Sequence, residues 1–202
     1  MISDMRNGST LTKFAAVFVV IESLLLIANG QSPSPAAGSA KASDSMLPRK
    51  VVVPINTVNR FFPDVTREVS TGRNLTAVAN AKATRSVNYA NSDSSKKLTI
   101  TVDQYPTASD ASSAYQEAVA KSKSVTGFKP VPAENLGQDA FVGTVTQRGE
   151  THIGLGALHG TLIVGATLAG YDPTPEKTAR LISLTREEER AAKAAMDRNR
   201  QK

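Results

Sequence analysis

The chain of 202 residues contains no cysteine and no tryptophan, and only two histidines. The missing thiols exclude disulfides, thiolate metal sites, a cysteine nucleophile and the lipid-modified cysteine of a bacterial lipoprotein. Whatever fold forms is therefore held by packing alone. His152 lies within a predicted strand and His159 at the turn that follows it, seven positions along the same extended stretch, about 23 Å at the usual rise and too far to share a zinc ion. Aromatic residues make up 5% of the chain, few for stacking bases. The lysines and arginines are dispersed with no arginine-rich run, so the net charge of +6 reads as a solvated surface, and no nucleic-acid partner is expected. Phosphate loops are also absent. Gly154-Leu155-Gly156-Ala157-Leu158-His159 misses the last glycine of the dinucleotide fingerprint and runs into a strand, and Gly165 and Gly170 are followed by Tyr171-Asp172 where a P-loop needs lysine and a hydroxyl. No Gly-x-Ser-x-Gly spacing occurs, and no repeat is visible. Nothing places two of Asp103, Asp110, Glu117 and Glu134 on one hydrolytic site.

No apolar run reaches the roughly 20 residues that a bilayer-spanning helix needs. Phe14 to Ala28 comes nearest, carries Glu22 near its middle, follows Arg6 and Lys13, and ends at Ala28-Asn29-Gly30. That arrangement is an export signal, with cleavage expected after Gly30 and an uncleaved anchor as the alternative. The localisation expected is secreted or periplasmic, with membrane contact only through this segment if it is retained. Residues 31–45 form a Ser/Pro/Ala spacer, expected to be disordered. Residues 46–185 then make one α+β domain, and 186–202 a charged, exposed helical tail. The segment 1–30 carries two basic and two acidic residues, so its removal leaves the charge at +6.

The fold expected is an antiparallel sheet with a C-terminal three-stranded meander and helices packed on one face. Val51-Val52-Val53 before Pro54 reads as a short edge strand or extended cover, and a short helix is expected from Pro63 to about Thr71. Alternation from Ala83 to Tyr105 gives two strands joined by the turn-forming Asn91-Ser92-Asp93-Ser94-Ser95. Thr107 and Asp110 have capping-box spacing at the start of a helix that runs to about Ser124, with Gly127-Phe128 as its stop. Ala140 to Gln147, Glu150 to Leu158 and Thr161 to Ala169 are strands separated by Arg148-Gly149 and His159-Gly160, which fixes a register. Thr144 pairs with Ile153, Val142 with Leu155, Ile153 with Ala166, Leu155 with Val164 and Ala157 with Leu162, all on one apolar face. Thr174-Pro175 starts the last packed helix through Ala179, Leu181, Ile182 and Leu184, and Thr185 with Glu188 caps the tail.

The opposite face of the meander gathers Gly143, Gly154, Gly156 and Gly165. Phe141, Val145, His152, Ile163 and Thr167 are the candidate ligand-binding residues along this trough, with His152 and Thr167 as its polar points. Against an open trough stands close packing, with Phe141 covering Gly156 across the strands and Val51 to Ile55 as a covering segment. No catalytic residue, metal or cofactor is assigned, and the partner class is a small molecule or an envelope component. Two other functions compete with a binding module: a small exported hydrolase built on His152 and scattered acids, and an envelope-associated structural protein. Asn74-Leu75-Thr76 is a formal glycosylation sequon.

The order helix, two strands, helix, meander, helix resembles the extracellular sensor domains of actinobacterial serine/threonine kinases and related exported lipoproteins. The matching stretches are Leu98 to Tyr105 running into Asp110-Ala111, then Leu136-Gly137-Gln138-Asp139-Ala140-Phe141, then Gly160 to Val164. They lie within Ala83 to Leu184. The chain departs from that family in having no cysteines, no kinase domain and no lipidation site. The resemblance implies a non-catalytic extracytoplasmic binding domain with a groove, and carries over no individual residue.

Overall fold

The computed structural model describes residues 45–74, 80–131, 139–147 and 149–200. The expected export signal and nearly all of the expected spacer lie outside them. The described chain is an α+β domain around one antiparallel seven-stranded sheet, in the order β1 (Arg67–Gly72), β2 (Ala83–Ala90), β3 (Lys97–Gln104), β7 (Leu162–Ala169), β6 (Glu150–His159), β5 (Ala140–Gln147), β4 (Lys129–Val131). Among the described residues no helix is long and apolar enough to cross a membrane.

The meander has the expected strands and one change of register. Thr144 faces Ile153 and Val142 faces Leu155, but Ile153 faces Leu168, Leu155 faces Ala166 and Ala157 faces Val164. The turn is made by Gly160-Thr161, with His159 facing Leu162 as the last pair, because Gly160 takes the left-handed conformation (φ +59°). A shift of two residues moves each partner along the strand without turning its side chain over. Val142, Leu155, Ala157, Val164 and Ala166 accordingly all join one buried cluster.

Two further helices cover that front face, α1 (Ile55–Phe61) and α3 (Pro175–Arg200). The helix expected from Pro63 instead ends just before it, with Phe62 as C-cap. Proline cannot continue a helix and commonly follows its end. The chain then becomes β1, an edge strand with an exposed bulge between Glu68 and Ser70. The tail expected after Thr185 is also different, since α3 is unbroken. Leu181, Leu184, Thr185, Glu188, Ala192 and Ala195 repeat every three or four residues and are fully buried on its inner side, the stripe of an amphipathic helix. Thr185 Oγ1 donates to the Leu181 carbonyl at 2.9 Å, so it caps nothing.

Val51, Val52 and Val53 are not an edge strand and do not cover the glycine face. Arg49–Val51 is a 3-10 turn, and all three valines are buried in the front-face cluster with α3. Polar groups fasten this N-terminal strap from three sides. Arg85 of β2 donates to the Leu47 carbonyl through both Nε and Nη2, Tyr89 Oη donates to the Val53 carbonyl, and the Val53 N–H donates to Glu188 Oε2 at 2.8 Å. Arg49 bridges the strap to Glu68 on β1 at 2.6 Å.

The reverse face is covered by α2 (Ala108–Ser124). Thr107 caps it as expected, its Oγ1 accepting from Asp110 N at 3.1 Å. Ala111, Ala114 and Tyr115 form its buried stripe against Tyr105 and Ile163, with Phe141 and Leu158 partly buried beside them.

Candidate functional site

The five sequence-derived residues share the reverse face, spread over four successive cross-strand rows. Val145, His152 and Ala169 form the first, with Lys97 at its end. Gly143, Gly154, Thr167 and Thr99 form the second, followed by Phe141, Gly156, Gly165 and Thr101, then Leu158, Ile163 and Asp103. From the first row to the last is about 20 Å along the strands. One face therefore holds them, but no single point brings them together.

Aromatic rings close the trough over two of its glycines. A Cβ on Gly143 would lie 2.1 Å from Phe128 Cε2, and one on Gly156 would lie 2.8 Å from Phe141 Cε1. Phe141 thus covers Gly156 as the close-packing alternative has it. Its ring also meets Tyr115 of α2 edge-on, with centroids 6.1 Å apart. Val145 is buried beside Val125 and Phe128, Ile163 lies beneath α2, and Thr167 and His152 are buried. Phe141 alone of the five keeps partial exposure.

What distinguishes this face chemically is a set of buried polar groups without partners. Among the described residues Thr101 Oγ1, Thr167 Oγ1 and His152 Nδ1 have no hydrogen-bond partner. Thr101 lies opposite Gly165, two positions from Thr167 on the same strand, so the two hydroxyls are diagonal neighbours beside a residue with no side chain. An unsatisfied buried hydroxyl costs about 1–3 kcal/mol. Three orphans on one face are a feature to be explained, because buried polar groups are ordinarily bonded.

His152 has little means of acting as a base. Burial pushes its pKa below the ordinary imidazole value; Glu150 opposes that shift and Lys97 adds to it. Glu150 Oε2 lies 3.8 Å from Nε2, beyond hydrogen-bond reach, and the cross-strand neighbours of His152 are Val145 and Ala169; the two-residue register shift takes Thr167 opposite Gly154 instead. A neutral imidazole with no orienting carboxylate lacks the partners of a nucleophilic relay.

Sequence reasoning missed the neighbouring carboxylate site. Asp103 is buried in the fourth row, and Asn74 Nδ2 donates to Oδ1 at 3.0 Å and to Oδ2 at 2.9 Å. The Asn74 backbone N–H donates to Thr84 Oγ1 at 3.0 Å. Burial pushes the Asp103 carboxyl up to about 7 against the opposing Asn74 bonds. The same bonds take the sequon out of play in the folded domain, since the amide nitrogen that would carry a sugar is buried and committed to Asp103. Among the described residues no group of three or more histidine and acidic side chains can hold a metal ion.

No family model matches the chain, and no curated protein matches it. Among solved structures three chains match. One is the extracellular domain of PknH from Mycobacterium tuberculosis, which is 11% identical with a TM-score of 0.52, over 75% of this chain and 98% of that one. The likeness is one of fold, and it falls on the kind of domain that the order of elements resembles.

Proposed function

We propose that this chain is an exported, sensor-like binding domain without catalytic machinery, and that its ligand is a small polar molecule recognised along the reverse face. Thr167, with Thr101 diagonal to it, supplies the polar contacts and Phe141 the partly exposed ring at which α2 meets the sheet, with His152 one row away; Val145 and Ile163 bound the two ends of the face rather than one ligand. The observation that carries this reading is the trio of orphan groups at Thr101, Thr167 and His152: a bound molecule would satisfy donors and acceptors that the protein leaves open. The apolar run Phe14 to Ala28 supports export, as does the likeness in fold to an extracellular domain.

The test is a thermal-shift screen of water-soluble small molecules against the wild type, the Thr101→Val/Thr167→Val double variant and Phe141→Ala. Valine keeps the shape of threonine and removes the hydroxyl. A true ligand at 100 times its dissociation constant adds about 2.7 kcal/mol, and that gain should vanish in the double variant and shrink in Phe141→Ala. The reading fails if the same compounds shift all three proteins alike and the double variant is merely more stable by about 1–3 kcal/mol per hydroxyl. Intact mass of protein recovered from a bacterial host checks export separately, with Gln31 as the expected first residue.

A further inference from the structure

The uncharged polar surface of the reverse face extends well past its orphan hydroxyls. The second row continues from Thr99 to Asn88 of β2 and Ser70 of β1, and the third from Thr101 to Ser86 and Gly72. Ser70, Asn88, Thr99 and Thr167 therefore stand side by side on four neighbouring strands, with Ser86 and Thr101 alongside them in the third row. Part of the second row is a hydrogen-bonded chain: Thr99 Oγ1 donates to Asn88 Oδ1 at 2.7 Å, and Asn88 Nδ2 donates to Ser70 Oγ at 2.9 Å. The chain opens outward, since Ser70 is exposed and Asn88 half-buried, while Thr99, Thr101 and Thr167 are each 1% exposed. α2 packs over β6 and β7, on the other half of the face.

This lattice sets the character of a guest. Its side chains are hydroxyls and one amide, groups that both donate and accept, and none carries a formal charge. On β3 formal charge begins only in the flanking rows, with Lys97 in the first and Asp103 in the fourth. Those two are six positions apart, about 20 Å along the strand, too far for one small zwitterion to reach both. Seated between Thr101 and Thr167, a charged guest finds no counter-charge in either row, and Asp103 in the next row is already held by Asn74. Taking an ion out of water without a partner is costly. A guest made of hydroxyls instead brings a donor and an acceptor to every contact. Strands about 4.8 Å apart and same-face side chains about 6.7 Å apart along each strand are separations that hydroxyls around one sugar ring can span. Resting on the reverse-face site proposed above, we infer that its ligand is a neutral hexose-type sugar, which enters at the Ser70 edge and reaches the orphan hydroxyls of Thr101 and Thr167.

The test is NMR of protein carrying ¹³C-methyl threonine, titrated with glucose, galactose and mannose, and with glucuronate and protonated glucosamine, which keep the ring and add a charge of either sign. At least one neutral hexose should move the Thr99, Thr101 and Thr167 methyl signals saturably, about tenfold more tightly than either charged sugar. Asn88→Leu removes the amide from the open end of the lattice and should weaken that sugar about fivefold. A trisaccharide of the same sugar that binds more tightly marks a polysaccharide as the source, and equal affinity marks a free sugar; both support the sugar class. The proposal is overturned if a charged sugar binds as tightly as the neutral ones, if no hexose moves these signals at high millimolar concentration, or if Asn88→Leu binds as the wild type does. A compound without sugar hydroxyls whose thermal shift is lost in Thr101→Val/Thr167→Val but kept in Asn88→Leu would overturn the sugar and leave the reverse-face site standing. Compounds of every class that ignore the threonine double variant would remove both.

Discussion

Gly170→Ala is expected to lower the unfolding free energy by about 3 kcal/mol or more, a fall in midpoint of roughly 10 °C for a domain of this size. Two effects combine at this position. Gly170 has φ +75°, a conformation that costs an L-residue about 1–2 kcal/mol. An added Cβ would also lie 1.9 Å from the Ser95 carbonyl oxygen, 3.0 Å from its carbon and 3.3 Å from Lys96 Cα. Those are backbone atoms of the β2–β3 turn, which cannot swing aside as a side-chain tip can. Gly149 and Gly160 provide the comparison, since both have positive φ but open space where a Cβ would go. Alanine there should cost only the conformational part, about 1–2 kcal/mol each. Urea unfolding of the three single variants separates the two contributions. Equal losses at all three would show that the approach of Ser95 to Gly170 contributes nothing.

Stability is expected to decline as pH rises from about 5 to about 8, the reverse of the usual carboxylate behaviour. Burial pushes Glu188 up to about 8, partly offset by the Val53 N–H bond and by Arg49. Asp103 likewise stands at about 7. In the unfolded chain both ionise near their ordinary values, so above about pH 4–5 the unfolded state has released protons that the folded state still holds. Each such group then removes about 1.4 kcal/mol of stability per pH unit, until the folded group ionises too. Asp103 stops contributing near pH 7 and Glu188 near pH 8. His152 acts in the opposite sense. Its lowered pKa leaves the folded state with fewer protons, so it removes stability as pH falls through the ordinary histidine range and offsets part of the carboxyl effect there. Glu188→Gln keeps an oxygen for the Val53 N–H and abolishes the titration. It should flatten the profile and leave the variant more stable than the wild type at pH 8. Glu188→Leu, which strands the Val53 N–H, should lose about 1–3 kcal/mol at pH 5. A wild-type profile that is level or rises from pH 6.5 to 8 would rule out buried protonated carboxyls at these positions.

The meander was legible because glycine turns and strict alternation are independent signals that agree. Its second hairpin is displaced by two residues because His159-Gly160 and Gly160-Thr161 each offer glycine for a tight turn, and local sequence does not choose between them. β1 escaped notice for the opposite reason: Arg67 to Thr71 is an exposed edge with no apolar alternation to mark it. In α3, Thr185 and Glu188 looked like a capping pair at the start of a solvated tail. They are instead buried against the strap, and the small side chains of Ala192 and Ala195 complete a stripe too slight to register as apolar. The reverse-face residues were placed on the correct side, but threonines on a buried row read the same as threonines facing water. Only the packing of α2, Phe128 and Phe141 separates the two cases. The Asn74–Asp103 contact spans 29 positions and leaves no local trace at all.

The fastening of the N-terminal strap has a mechanical consequence. Leu47 is gripped from β2 and Val53 from both β2 and α3, so a pull arriving from the N-terminal side is divided between the sheet interior and the longest helix before any single bond must yield. Tension on that end would load the centre of the domain first, and a chain trimmed back to Ile55 would lose three core valines together with the partner of a buried acid.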